Sequence, residues 1–198
     1  LHMELLHDHA VVRLGASGDA DAKAKAQGAA LLRQTTAINY LPRTGMTILR
    51  GHEDSSLARR AKDADLSVGD FLLDAPQVAF SGPVFKNGSR VMGVGDQINI
   101  WFHPTASDNE RQELLATHGL EVVHKADNGF YTVRVDTTDG YDVVNLAIQL
   151  NDSPLTKGAG VDWYSFYTLN SFTGSASGTS VSAAVSAGVA GMVIARDP

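Results

Sequence analysis

The sequence predicts an α+β fold made of two successive antiparallel units, each with the element order β-α-β-β-α-β, followed by a C-terminal apolar helix. Three observations predict it. Strand-like alternation and helix-like periodicity follow one another in the same order in both halves of the chain. A hydrophobic fraction of 43% and a charged fraction of 19% are typical of folded soluble proteins. The length of 198 residues allows two small domains, each with its own core.

The second half has the clearer order of elements. Residues 97–103 alternate between apolar and polar side chains, which indicates a half-buried strand. Ser107 and Glu110 form the Ser-x-x-Glu pattern of a capping box and predict the start of a helix, which Gly119 should end in a left-handed conformation. The other predicted elements are strands over 120–125 and 130–136, a helix over 141–150 and a last strand over 159–166.

The first half repeats this order less clearly. Its predicted elements are a strand over 10–14, an alanine-rich helix over 19–33, strands over 36–41 and 46–50, a short helix over 55–64 and a strand over 77–85. Residues 86–95 are rich in glycine and are predicted as a connector, although 90–94 could extend a strand. The predicted domains are residues 1–86, 96–168 and 169–198.

Each unit is expected to be ferredoxin-like, with four antiparallel strands and both helices on one face of the sheet. The other face would then be uncovered. In the second unit that face would present five side chains: Asn99, Trp101, His103, Thr132 and Arg134. An aromatic side chain among polar ones is typical of a docking surface. Two alternatives stay open, because the units could cover each other or Trp101 could lie under a loop.

The composition argues against several classes of partner and site. The net charge of −6 comes from interspersed acids and bases, so the chain lacks the basic stripe that nucleic-acid binding requires. The absence of cysteine excludes disulfides, thiolate nucleophiles and cysteine-ligated zinc. His7-Asp8-His9 is expected to be a solvated stretch, since two ligands close no metal site. No acidic loop has the spacing of calcium ligands, although the sequence alone leaves calcium binding open. We therefore assign no metal site and expect no other cofactor.

The two ends of the chain were assessed for targeting and membrane segments. The start, at residues 1–4, has neither the basic residues nor the apolar stretch of a signal peptide. The apolar run at 181–195 is short for a membrane span, which needs roughly 20 residues. We therefore expect no membrane partner. A helix over 180–195 would be apolar on every side and would have to be buried by close neighbours.

The residues before that helix have the pattern of a nucleophile turn. In Ser177-Gly178-Thr179-Ser180, glycine allows a sharp turn, and the N–H groups at a helix start can stabilise a developing oxyanion. This run, followed by Ser182-Ala183 and Ala187-Gly188, resembles the nucleophile region of the subtilisin-like serine proteases. The resemblance implies that Ser180 is the nucleophile. Ala184 stands where that family most often has proline, a departure that affects the helix entry more than the chemistry.

The two preceding units are similar to the propeptide of the same family. The similarity is carried by residues 97–102, 130–135 and 153–163, which look like that module's first, third and last strands. It implies a region that assists folding of a catalytic domain and then inhibits it, and it implies secretion. The family's Asp-Ser/Thr-Gly and His-Gly-Thr-His segments are absent, so no general base or orienting aspartate is assigned.

Three hypotheses about function follow. The chain is a propeptide-type chaperone and inhibitor joined to a catalytic fragment that is inactive alone, or it is part of an active secreted endopeptidase whose other catalytic segments are missing from it. Alternatively, it is a non-catalytic interaction module that oligomerises through its C-terminal helix. The expected partner is accordingly a protease catalytic domain, its own or a related one, or a second copy of the chain.

Overall fold

The computed structural model describes residues 3–15, 22–41 and 44–167. Within these ranges the fold is α+β, with one eight-stranded antiparallel sheet and five helices. The strands are β1 (Glu4–Leu14), β2 (Thr35–Leu41), β3 (Met46–Gly51), β4 (Val78–Asn87), β5 (Arg90–Phe102), β6 (Glu121–Lys125), β7 (Phe130–Arg134) and β8 (Thr156–Tyr167). The helices are α1 (Ala22–Leu32), α2 (Ser56–Asp63), α3 (Val68–Leu72), α4 (Asp108–Thr117) and α5 (Gly140–Asn151).

The sheet runs from one half of the chain into the other through β5. The strand order is β2-β3-β1-β4-β5-β7-β6, and β8 pairs with β5 outside this path. Residues 90–93 of β5 pair with β4, and residues 97–101 pair with β7. Strand β8 follows β5 over almost its whole length. Strand β5 is therefore the continuous element on which both halves are assembled.

The expected connector at 86–95 is wrong. Strand β4 extends to Asn87 and β5 begins at Arg90, so the two strands form a hairpin with Gly88 and Ser89 as its turn. Gly88 has φ = 60°, which a glycine adopts without strain and which a two-residue hairpin turn requires. The alternative in which residues 90–94 extend a strand is the correct one.

Local capping signals set the helix boundaries. The Ser107–Glu110 capping box is confirmed: the Ser107 hydroxyl accepts from the Glu110 backbone, and the Glu110 carboxylate accepts from the Ser107 backbone at 2.7 Å. Gly119 follows α4 with φ = 61°, as predicted. A second capping box, Ser67 with Asp70, starts the short helix α3, which the sequence analysis missed.

Strand β1 starts earlier than expected and changes the interpretation of the first histidines. His7 and His9 lie within the strand, and His9 is buried. The His7 ring nitrogen Nδ1 lies 2.8 Å from the Leu66 carbonyl oxygen. The expectation of a solvated stretch is therefore wrong, because pairing with β3 and β4 brings this segment into the sheet.

The core consists of two clusters on opposite sides of the first-half sheet. On β1, Ala10 and Val12 belong to the cluster beneath α2 and α3, while Val11 points the other way. The cluster on Val11's side is buried in the first half and continues into the second. Its completely buried first-half members are Val11, Met46, Ile48, Phe80 and Val84. The expectation that the first unit exposes a sheet face is wrong, because that face forms part of a core shared with the second half.

Backbone contacts also join the halves. The Ser81 N–H donates to the Thr138 carbonyl at 2.8 Å. Next to it, Gly140 at the start of α5 lies so close to β4 that an added Cβ would be 2.6 Å from the Gly82 Cα. Glycine is therefore required at this point for the helix to approach the strand.

Candidate functional site

The structure brings four of the five predicted docking residues together. Asn99 on β5 lies opposite Thr132 on β7, and Gln97 lies opposite Arg134. Trp101 lies opposite Phe130, and their ring centroids are 4.8 Å apart. We use the name β5–β7 face for Asn99, Trp101, Phe130, Thr132 and Arg134.

The β5–β7 face is set by strand alternation. The intervening side chains are buried and belong to the core with α5; they are Ile98, Ile100, Tyr131 and Val133. Because successive strand residues point to opposite sides, the polar and aromatic residues must lie on the side away from the helices. Trp101, Phe130 and Thr132 are half-buried, whereas Asn99 is only 7% exposed.

His103 lies at the end of this face and not within it. Strand β5 ends at Phe102, and the His103 backbone N–H donates to the Leu155 carbonyl at 2.9 Å. Its own carbonyl accepts from the Arg111 guanidinium at 3.3 Å. The prediction extended the alternation one residue beyond the strand.

A hydrogen-bond chain crosses three strands at the centre of the face. The Thr132 hydroxyl donates to Asn99 Oδ1 at 2.8 Å, and Asn99 Nδ2 donates to Asp162 Oδ1 on β8 at 3.2 Å. Both ends of the Asn99 amide are therefore used, which explains how this polar side chain can be buried. Burial raises the pKa of Asp162, the hydrogen bond from Asn99 lowers it, and the nearby carboxylate of Asp96 raises it.

Asp96 links the β5–β7 face to the first half. It lies in the part of β5 where the register shifts, and its side chain is 2% exposed. Arg13 on β1 donates to its carboxylate, and Arg134 Nε lies 3.3 Å from the same oxygen. Arg134 also pairs with Glu121 at 3.2 Å. The guanidinium of Arg134 is therefore held in place on the face by two carboxylates.

Tyr164 on β8 packs against the irregular part of β5. Its ring lies against Gly95, where any added Cβ would clash with it. Burial raises the pKa of the Tyr164 hydroxyl well above its ordinary value, and this buried oxygen has no hydrogen-bond partner among the described residues.

Sequence analysis missed the polar residues that hold the face in place: Arg13, Asp96, Asp162 and Tyr164. One local signal existed for Asp96, since a carboxylate within a long apolar strand needs a counter-ion. Its partners could not be identified, because Arg13 is distant in sequence and reaches Asp96 only through the fold.

Within residues 3–15, 22–41 and 44–167, no hydroxyl, imidazole and carboxylate form one hydrogen-bonded chain; the exposed Thr36 hydroxyl lies 2.9 Å from His52 Nε2, but His52 has no carboxylate partner there. Ser180 and the expected C-terminal helix lie outside these ranges. His9 Nδ1 lies 2.7 Å from Asp8 Oδ1, the arrangement of a base with its orienting group, but within the ranges no hydroxyl is hydrogen-bonded to His9. The hydrogen bond from His9 is the main cause that lowers the pKa of Asp8 to about 2.

The described part of the chain contains no group of three or more histidine, aspartate or glutamate side chains placed to hold a metal ion. None of its helices is long and apolar enough to cross a membrane.

The candidate site accordingly consists of the β5–β7 face and the polar network beneath it. No protein-family model, curated protein or solved structure matches the chain.

Proposed function

We propose that this chain is a propeptide-type module that docks its β5–β7 face on the catalytic domain of a subtilisin-like serine protease, assists its folding and inhibits it. The observation that carries the proposal is the half-buried Trp101–Phe130 pair on a polar sheet face. The secretion implied by the resemblance belongs to the same proposal. The nucleophile segment in residues 169–198 is, in this proposal, a fragment that is inactive alone.

The strand order supports the tandem ferredoxin-like arrangement within this proposal. The first half has the order β2-β3-β1-β4. The pairings of the second half, β6 with β7, β7 with β5 and β5 with β8, produce the same order from edge to edge. In both halves the first and third strands are adjacent and central. A sheet of this kind, with helices on one side only, has a second side available for docking.

Only one docking face is proposed, although the units are tandem. The corresponding side of the first half is occupied by fully buried apolar side chains that continue into the second half. The first half therefore supports the second, through this shared core and through the ion pair of Arg13 with Asp96. We accordingly expect one chain to bind one catalytic domain.

The residue types on the face suit a binding centre. Tryptophan and arginine are enriched among the residues that dominate interface energies. The Trp101 and Phe130 rings form a small apolar surface, and the two ion pairs of Arg134 reduce the entropy that its long side chain would lose on binding. The partner surface should therefore place an apolar side chain on the two rings.

The experiment is a titration of the full chain into purified bacterial subtilisin, with residual peptidase activity as the readout. We expect inhibition that reaches completion at one chain per enzyme. Trp101→Ala should weaken inhibition by roughly 30-fold, corresponding to about 2 kcal/mol for a central aromatic residue.

Tyr40→Ala is the matched control, because Tyr40 is an aromatic residue on the edge strand β2 and is 58% exposed. It should leave inhibition unchanged. Circular dichroism of both variants checks that the fold is retained. Absence of inhibition by the wild-type chain, or equal effects of the two substitutions, would refute the proposal.

A further inference from the structure

We propose that Asp162 is a pH-sensitive switch at the junction of β5 and β8: its neutral form favours close pairing of the two strands, and its ionisation weakens that pairing. The proposal concerns the fold of the chain itself and does not depend on what docks on the β5–β7 face. The segment involved is the stretch of β8 that carries Asp162 and Tyr164.

Asp162 lies where the pairing of β5 with β8 is irregular. In the pairing of β5 with β8, Val94 lies opposite Trp163 and Ile98 lies opposite Val161. Asp162 is therefore the single β8 residue opposite residues 95–97 of β5, where the register shifts. An irregular stretch of this kind interrupts the ladder of backbone hydrogen bonds. The stability of the β5–β8 pairing at this point therefore depends on side-chain contacts.

The cations near Asp162 are paired with another carboxylate, that of Asp96. Asp96 faces it from β5, and the two cations nearby, Arg13 from β1 and Arg134 from β7, both pair with Asp96. Tyr164 is the titratable neighbour on β8. Among the residues that the structure describes, no lysine, arginine or histidine forms an ion pair with Asp162. Its hydrogen-bond donor is the neutral amide of Asn99.

A largely buried carboxylate without a counter-ion and beside a second carboxylate is costly when ionised. Burial accordingly raises the pKa of Asp162, and the Asn99 hydrogen bond offsets part of this rise. The folded chain therefore holds a proton at Asp162 at pH values where the unfolded chain has lost it. By linkage, the junction becomes more stable as the pH falls from neutral through this raised pKa. The gain is complete once the pH reaches the unfolded value of 3.8.

The test compares Asp162→Asn with the wild-type chain by amide hydrogen exchange at residues 163–165, expressed as protection factors between pH 4.5 and 7.5. Asparagine keeps an acceptor for Asn99 but carries no charge. At pH 7 we expect higher protection in the variant than in the wild-type chain, by tenfold for each unit by which folding raises the pKa of Asp162. The difference between the two chains should shrink as the pH falls to 4.5. Asp136→Asn, at an exposed position after β7, is the control and should behave as wild type.

Burial also raises the pKa of Asp139, so the wild-type protection factors alone do not report on Asp162. The difference in protection between wild type and Asp162→Asn measures the contribution of Asp162. An unchanged pH dependence in Asp162→Asn would overturn the proposal. If the variant fails to fold, a second measurement replaces it. The carboxyl carbon of Asp162 is titrated by NMR in the wild-type chain. A titration midpoint at or below 3.8, the ordinary pKa of an aspartate side chain, would overturn the proposal equally.

Discussion

Arg13 on β1 and Asp96 on β5 form an ion pair that joins the two halves of the sheet. The carboxylate is almost completely buried, while the guanidinium of Arg13 retains partial contact with solvent. Arg134 approaches the same carboxylate from β7. One acidic side chain therefore fixes the position of three strands relative to one another, and it does so directly beside the candidate docking face.

Asp96→Asn is expected to lower the free energy of unfolding by about 2 kcal/mol. This is less than the roughly 3 to 5 kcal/mol typical of a broken buried pair, because both arginines keep part of their hydration. Urea denaturation measures the change. The control Glu53→Gln removes an exposed partner of Arg50 and should cost at most about 1 kcal/mol. Equal costs for the two variants would show that Asp96 does not hold the halves together.

Gly140→Ala is expected to destabilise the protein, although alanine normally favours a helix over glycine by about 1 kcal/mol. The added Cβ would lie 2.6 Å from the Gly82 backbone, so α5 must move away from β4. Overpacking of this kind costs about 1 to 3 kcal/mol. Gly158→Ala is the matched control, since its Cβ would meet only Asn151 at 3.7 Å. Thermal denaturation of both variants should rank Gly140→Ala as the less stable; the reverse order would contradict the close approach.

Asp8→Asn is expected to lower stability at neutral pH and to flatten its acid dependence. The hydrogen bond from His9 is the main cause that lowers the pKa of Asp8 from 3.8 to about 2, with Arg50 adding to it. A carboxyl whose pKa is depressed on folding contributes stability above the unfolded pKa. That contribution, about 1 to 2 kcal/mol after allowance for partial exposure, is lost as the pH falls from about 4 to about 2.

Stability of wild type and Asp8→Asn, measured by urea denaturation at pH 7, 4 and 2, should therefore converge at the lowest pH. This dependence has the opposite sign to the one proposed for Asp162. Curves that stay parallel from pH 7 to pH 2 would show that the Asp8 contacts with His9 and Arg50 contribute no pH-dependent stability.

Ser180→Ala is expected to leave both inhibition of subtilisin and the lack of peptide hydrolysis unchanged. The sequence contains neither of the family's segments that supply the base and its orienting aspartate, and a serine without them is a weak nucleophile. A fluorogenic peptide assay of the wild-type chain and the variant measures this directly. Turnover by the wild-type chain that disappears in Ser180→Ala would show that the inactive interpretation is wrong.

Several local features could be predicted because their causes lie within a few residues. The Ser107–Glu110 capping box and the left-handed Gly119 were correct, since both depend on neighbouring backbone groups. The alternation over 97–103 placed Asn99 and Trp101 on one side of the strand, as the pairing with β7 confirms. It failed at His103, because only the tertiary contact with Leu155 shows where the strand has ended.

The sequence by itself determined the order of the strands and of every described helix except α3, and the sides on which apolar and polar residues lie, because periodicity and capping act over short distances. Only the tertiary structure decided that residues 86–95 form a hairpin instead of a connector, and that the first half buries its second face. It also brought Arg13 to Asp96, and it gave Asp162 no cationic partner among the residues that the structure describes. These outcomes depend on which distant surfaces exclude water together, and the pattern along a single strand carries no information about the strand that will lie beside it.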